Sequence, residues 1–193
     1  MMQRDARVIG VDPGSRTTGW GVVERTGGRM VRLASGVIRT DPEAPMPTRL
    51  QAIHLGLAEV VRVWAPTEAA MEEIFAHRSA ASALVLGQAR GVALLAVAGL
   101  GLQTYNAMTI KKTVTGSGTA DKTQIARMMA VLLGLHADVP PDETDALAIA
   151  VTHLGHAGHR AALGAIVAKP KRERRMSARD QWTAIALRAG AKA

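Results

Sequence analysis

Five carboxylates fall at three places in this sequence where they can do chemistry. Asp12 ends the apolar run Val8-Ile9-Gly10-Val11 and is followed at once by Pro13-Gly14. Glu72 and Glu73 lie side by side in EAAMEEIF, and Asp142 and Asp145 stand three apart in DETDALAIAVTH. An ionised carboxylate at the end of an apolar strand is costly unless it is paired, hydrogen-bonded or bound to a metal. Two readings of Asp12 stay open on these residues. It caps its own turn by bonding the backbone of Gly14 or Ser15, as Asp commonly does, or it gathers with the later carboxylates around cations. Oxygen-only ligation without cysteine suits Mg²⁺ or Mn²⁺ over zinc. Like charges gathered without cations would repel and force some of them to protonate, so ions would be part of such a site. Two ions about 4 Å apart suit phosphodiester hydrolysis, one activating water and the other stabilising the leaving oxygen. The blander alternatives are an N-cap role for Asp142 and a solvated Glu72.

The elements that must position these groups follow from pattern. Pro13-Gly14 presets a tight turn, so Val8–Val23 reads as a strand, a turn and a returning strand, and 29–38 as a third antiparallel strand. Leu50, Ile53, Leu57, Val60, Val61 and Trp64 recur at helical spacing, with Pro66 as the stop. A strand over 68–75 follows, although Ala and Glu are weak strand formers. Its alternation sends Glu72 and Glu73 to opposite faces, so only one looks toward Asp12, and the pattern does not choose between them. A long Ala/Leu/Val helix over 79–99 has room at Gly87 and Gly91 for another element to pack closely. A short strand over 102–105, a short helix over 106–115 and a helix from Asp121 to Leu135 come next, the last opening on the capping pair Asp121 and Gln124. Pro140-Pro141 introduces a final helix, which carries Asp142 and Asp145 on one face. His153, His156 and His159 read as residues of a fraying helix end, not as metal ligands.

At 193 residues the chain suits one domain, 1–168, with a basic tail, 169–193. Hydrophobic residues reach 48% with only 3% aromatic, which favours Val, Leu, Ile, Ala and Met packed between helices and a sheet over an aromatic-rich β-sandwich. The absence of cysteine removes disulfides and thiolate metal sites and fits a reducing compartment. The apolar run before Asp12 is too short for a secretory segment. Gln88 and Arg90 interrupt the longest apolar stretch, 84–102, which argues for a buried helix over a membrane span. The expectation is a cytoplasmic protein without membrane attachment. Residues 169–193 hold eight Lys/Arg against Glu173 and Asp180, and so carry six of the eight net positive charges. The charge suggests a polyanionic partner, but it speaks mainly for the tail.

Four segments, VIGVDPGSRTTGWGVV, MEEIFAHRSAASALVLGQARGV, IKKTVTGSGTADKTQI and DETDALAIAVTH, resemble in their order and spacing the RuvC family of Holliday junction resolvases, over Val8 to His153. The resemblance implies an α/β, ribonuclease H-like fold with a five-stranded mixed sheet flanked by helices. It further implies a homodimer in which each subunit hydrolyses one strand of a four-way DNA junction, with Mg²⁺ or Mn²⁺ as cofactor at two ions per site. The family's catalytic and metal-binding set falls on Asp12, Glu72, Asp142 and Asp145. Glu72 is preferred over Glu73 because the family's catalytic Glu stands three residues before an aromatic, here Phe75. Phe75, the only Phe, is implied to stack on bases at the crossover, where such contacts contribute about 1–3 kcal/mol per base. Lys111 and Lys122 match positions used near phosphates, Arg78 stands where relatives can carry Lys, and a branch-migration motor is an implied partner. Whether His153 assists the site is left open.

The basic tail departs from the family pattern. It adds sequence-independent, salt-sensitive DNA affinity, or it is solubilising chain. Two other classes compete with the nuclease. An actin-like or sugar-kinase-type ATP-binding protein also has an Asp-Gly-Thr hairpin, but needs two such domains. A non-catalytic junction-binding protein would not need all four acidic positions.

Overall fold

The first strand and its neighbours decide where every functional group lies. The computed structural model describes residues 6–73, 79–135 and 139–167, with side chains as far as His156. Strand β1 (Arg7–Asp12) is buried through its middle and pairs antiparallel with β2 (Thr17–Thr26), as the Pro-Gly turn predicts. Thr18 closes that turn: its Oγ1 donates to the Gly14 carbonyl at 2.8 Å. β2 returns into β3 (Arg29–Arg39) through Gly27-Gly28, both at positive φ, the backbone a two-residue type I′ hairpin demands. On its other side β1 pairs in parallel with β4 (Glu68–Glu72), which pairs in parallel with β5 (Gly101–Tyr105). The sheet is thus five-stranded and mixed, in the order β3-β2-β1-β4-β5.

Strand alternation sorts the residues onto two faces. Ile9, Val11, Val22, Ala69 and Met71 point to one layer, where α1 (Met46–Trp64) brings Ile53, Leu57 and Val60, and α2 (Ala80–Ala96) brings Ala89 and Ala93. Val8, Val23, Ala70 and Tyr105 point to the other, against α3 (Ala107–Thr115), α4 (Lys122–Leu133) and α5 (Pro141–Val167). The core is aliphatic, as the composition requires. The helix starts obey local chemistry: Ser79 and Asn106 cap α2 and α3, and Asp121 with Gln124 forms a full capping box on α4.

Two expectations change. Among the described residues the fourth strand ends at Glu72, with Glu73 already beyond it, and the rest of the expected strand, 74–75, lies outside the described residues. Among the described residues nothing fills the space at Gly87 and Gly91: an added Cβ would meet no atom within 4 Å. Among the described residues no helix is long and apolar enough to cross a membrane. The chain divides into one unit of Met1–Gly158 and another of His159–Ala193. Of the second, only the backbone of α5 to residue 167 is described, so the basic tail 169–193 lies outside the described residues.

Candidate active site

Asp12 and Glu72 are the last residues of two neighbouring parallel strands. The register pairs Val11 with Met71, which sets the two carboxylates side by side at the strand ends. Asp12 shares the parity of Val8, and Glu72 that of Ala70, so both face the α3–α5 layer. Glu73 has the opposite parity, and its carboxylate accepts a long, 3.5 Å bond from Thr104 Oγ1.

Asp142 lies in the first turn of α5 and Asp145 directly after it, both inside the helix rather than at its N-cap. They reach Asp12 because the sheet beneath the helix has no side chains there. Gly10, Gly19 and Gly21 are directly under α5. A Cβ on Gly19, which pairs with Asp12, would fall into the Asp142 carbonyl, and one on Gly10 into the Ala146 carbonyl. At Gly21 it would stand 2.6 Å from Leu147 Cδ2. Sequence reasoning passed over this glycine track. Its signal is visible, however, in the alternation of Gly19 and Gly21 opposite Gly10.

The electrostatics show that the four carboxylates feel one another. Asp12 is pushed up to about 7, first by burial and then by Asp145, Glu72 and Asp142 in that order; Lys122 acts the other way. Glu72 is raised by burial and Asp145, against the pull of Lys122, Lys111 and Arg90. Lys122 Nζ lies 3.1 Å from Asp145 Oδ2, and its own pKa is raised chiefly by that bond. Arg90, which the sequence reading used only as a break in an apolar run, donates from α2 to the Glu72 carbonyl.

Among the described residues no three Asp, Glu, His or Cys side chains are drawn together as a finished metal cage. The donors nonetheless have the chemistry a hard cation needs: oxygen-only, partly buried, and mutually repelling enough to hold a proton near neutrality. A cleft of about 230 Å³ opens beside them, lined by Glu72, Asp145, Lys111 and Lys122 together with the apolar Ile110 and Ile125. Acid and ammonium groups facing one small cleft suit a phosphodiester held between cations. Phe75 and Arg78, by contrast, lie outside the described residues.

Lys122 yields a prediction. The ammonium favours ionised Asp12 and Glu72, so Lys122→Met should raise both pKa values further and displace the rising limb of the cleavage pH profile toward alkaline pH. Initial rates from pH 6 to 9 at subsaturating Mn²⁺ would show it. A uniform drop with an unmoved profile would confine Lys122 to the phosphate.

His153 does not join the carboxylates. Fully buried, it bonds Glu68 Oε2 at 2.6 Å through Nε2, at the opposite end of β4 from Glu72, and Tyr105 Oη at 3.0 Å through Nδ1. It fastens α5 to β4 and β5. His156 stacks on Tyr105, with ring centroids 5.4 Å apart, and the side chain of His159 lies outside the described residues.

The family described as crossover junction endodeoxyribonuclease RuvC matches residues 8–153. The RuvC of Hahella chejuensis is 52% identical over 150 residues, 77% of this chain and 87% of the relative. That of Afipia carboxidovorans is 46% identical over 158 residues, 81% of this chain and 92% of the relative. Among solved structures, T. thermophilus RuvC in complex with a Holliday junction substrate superposes with a TM-score of 0.74 at 36% identity, covering 79% of this chain and 94% of that one. Nothing in these matches supports a nucleotide-binding alternative, and the chain belongs to the RuvC family of crossover junction endodeoxyribonucleases.

Proposed function

We propose that this protein resolves four-way DNA junctions by divalent-metal-dependent hydrolysis, each subunit of a homodimer cutting one strand. The observation that carries the reading is the meeting of Asp12 and Glu72 at adjacent strand ends with Asp142 and Asp145 of α5, beside a cleft that also takes Lys111 and Lys122. The four carboxylates would hold the divalent ions, two Mg²⁺ or Mn²⁺, which would supply activation of water and neutralisation of charge at the phosphate. Lys111 and Lys122 hold the neighbouring phosphates, and Lys122 also orients Asp145. Apolar Ile110 and Ile125 line the same cleft and restrict water there. Phe75, three residues beyond Glu72 in sequence, stacks at the crossover and Arg78 contacts a phosphate. The tail adds phosphate contacts that weaken with salt. A branch-migration motor delivers the junction, in the cytoplasm.

The second subunit docks on α2. This helix is apolar apart from Ser82, Gln88 and Arg90, yet it exposes Leu84 at 65% and Leu95 at 64%, with Gly87 and Gly91 open between them. Such a face belongs against protein, and the glycines permit a close helix approach. Gly91→Glu should therefore halve the mass seen by analytical ultracentrifugation and turn paired nicks on a junction into independent single ones. An unchanged mass would place the dimer contact elsewhere.

A further inference from the structure

The start of α5 carries a third carboxylate that the proposed metal set does not use. Glu143 stands between Asp142 and Asp145, is only 9% exposed, and turns away from the cleft toward β3. Its Oε1 accepts a 2.5 Å bond from Ser35 Oγ and lies 3.7 Å from Arg32 Nη1. Glutamates are seldom buried unless they are paired, and a hydroxyl with a guanidinium is a specific pairing.

The register explains why Glu143 reaches those partners. Gly10, Gly21 and Ser35 are successive neighbours across β1, β2 and β3. Helix α5 crosses this row with Ala146 over Gly10 and Leu147 against Gly21. Glu143, one turn ahead of Leu147, meets Ser35 at the far end of the row.

We infer that Glu143 is a positioning residue, whose contacts with Ser35 and Arg32 fix the rotation of the first turn of α5 and so aim Asp142 and Asp145 at Asp12. A force needs opposing there. Asp142 and Asp145 both repel the Asp12 carboxylate beneath them, and a first helical turn has few backbone hydrogen bonds of its own to resist displacement. Lys122 tethers the turn from α4 through Asp145. Glu143 tethers it from the opposite side, to the edge of the sheet. The inference rests on the reading of Asp142 and Asp145 as metal ligands.

The test is Mn²⁺ binding to the DNA-free protein, followed by calorimetry or by the electron paramagnetic resonance of free Mn²⁺. It compares wild type, Ser35→Ala, Glu143→Gln, Glu143→Ala and Asp145→Asn, with hydrogen exchange at the amides of 143–146 recorded alongside. Groups that orient metal ligands from behind typically change affinity about 10–100-fold. Glu143→Ala should weaken Mn²⁺ binding about 10-fold and speed exchange in the first turn, while saturating Mn²⁺ restores most of kcat. Ser35→Ala should shift both in the same direction by less, and Glu143→Gln should recover part of the loss because its amide oxygen still accepts from Ser35. Combining Ser35→Ala with Glu143→Ala should be no worse than Glu143→Ala alone, the non-additivity of partners in one contact. Should Glu143→Ala fail to fold, Ser35→Ala, which removes one hydroxyl, decides alone. Wild-type Mn²⁺ binding in Ser35→Ala and Glu143→Gln, with binding lost in Asp145→Asn, would overturn the positioning role. Wild-type binding in Asp145→Asn would instead overturn the ligand assignment, and the positioning role with it.

Discussion

Asp12→Asn is expected to lose cleavage of a four-way junction by more than about 100-fold, the upper end of what a group behind the ligands costs, while still binding the junction. The substitution keeps shape and removes the charge on which the other three carboxylates converge. The same change should stabilise the metal-free protein at alkaline pH. Asp12 titrates near 7 in the fold, above the ordinary carboxyl value of 3.8, because burial and three like charges disfavour its ionised form. A pKa raised by folding contributes stability that is fully present below pH 3.8 and lost as pH rises through 7. In chelator, wild type should therefore melt at a lower temperature at pH 8 than at pH 6.5 as far as this group is concerned. The Asn variant lacks that loss and should exceed wild type at pH 8. Higher stability with lost activity marks a site strained for function. Thermal melts at the two pH values and a gel-shift assay in chelator check it. Loss of both stability and junction binding would make Asp12 a structural residue.

Gly19→Ala is expected to have the second largest effect, through one methyl group. Its Cβ would fall into the backbone carbonyl of Asp142, and backbone cannot rotate aside as a side chain does. Either β2 or the first turn of α5 must move. Overpacking of this kind costs about 1–3 kcal/mol, and displacement of a catalytic group by about 1 Å can cost 10²-fold in rate. The variant should thus melt lower and cleave about 10²-fold more slowly even where it is fully folded. Gly99→Ala, with nothing within 4 Å of the added atom, is the control and should stay within about 0.5 kcal/mol of wild type. Chemical denaturation and single-turnover cleavage separate the two effects. Unaltered cleavage in folded Gly19→Ala would mean that the helix need not lie so close.

The parts of this architecture that follow from local chemistry were legible in the sequence. Pro13-Gly14 predicts the hairpin, Asp121 with Gln124 predicts the start of α4, and the three-residue spacing predicts Asp142 and Asp145 on one helical face. The preference for Glu72 over Glu73 came from family resemblance. In the structure Glu72 has the parity of Ala70, which packs beneath α5, and Glu73 the opposite one. The features that escaped depend on contacts between distant segments. Gly10, Gly19 and Gly21 look like ordinary strand glycines until the register of β1 with β2 aligns them beneath one helix. Glu143 reads as one more acid at a helix start until Ser35 is seen beside Gly21. Gly87 and Gly91 read as room for another element, and among the described residues nothing stands within 4 Å of a Cβ added at either.

The most direct test of the central claim is cleavage of an end-labelled four-way junction beside a linear duplex of the same sequence, in Mg²⁺, in Mn²⁺ and in chelator. Symmetric nicks on the junction alone, present with either metal and absent in chelator, are the predicted result. Cutting that persists in chelator, or equal cutting of the duplex, would contradict it.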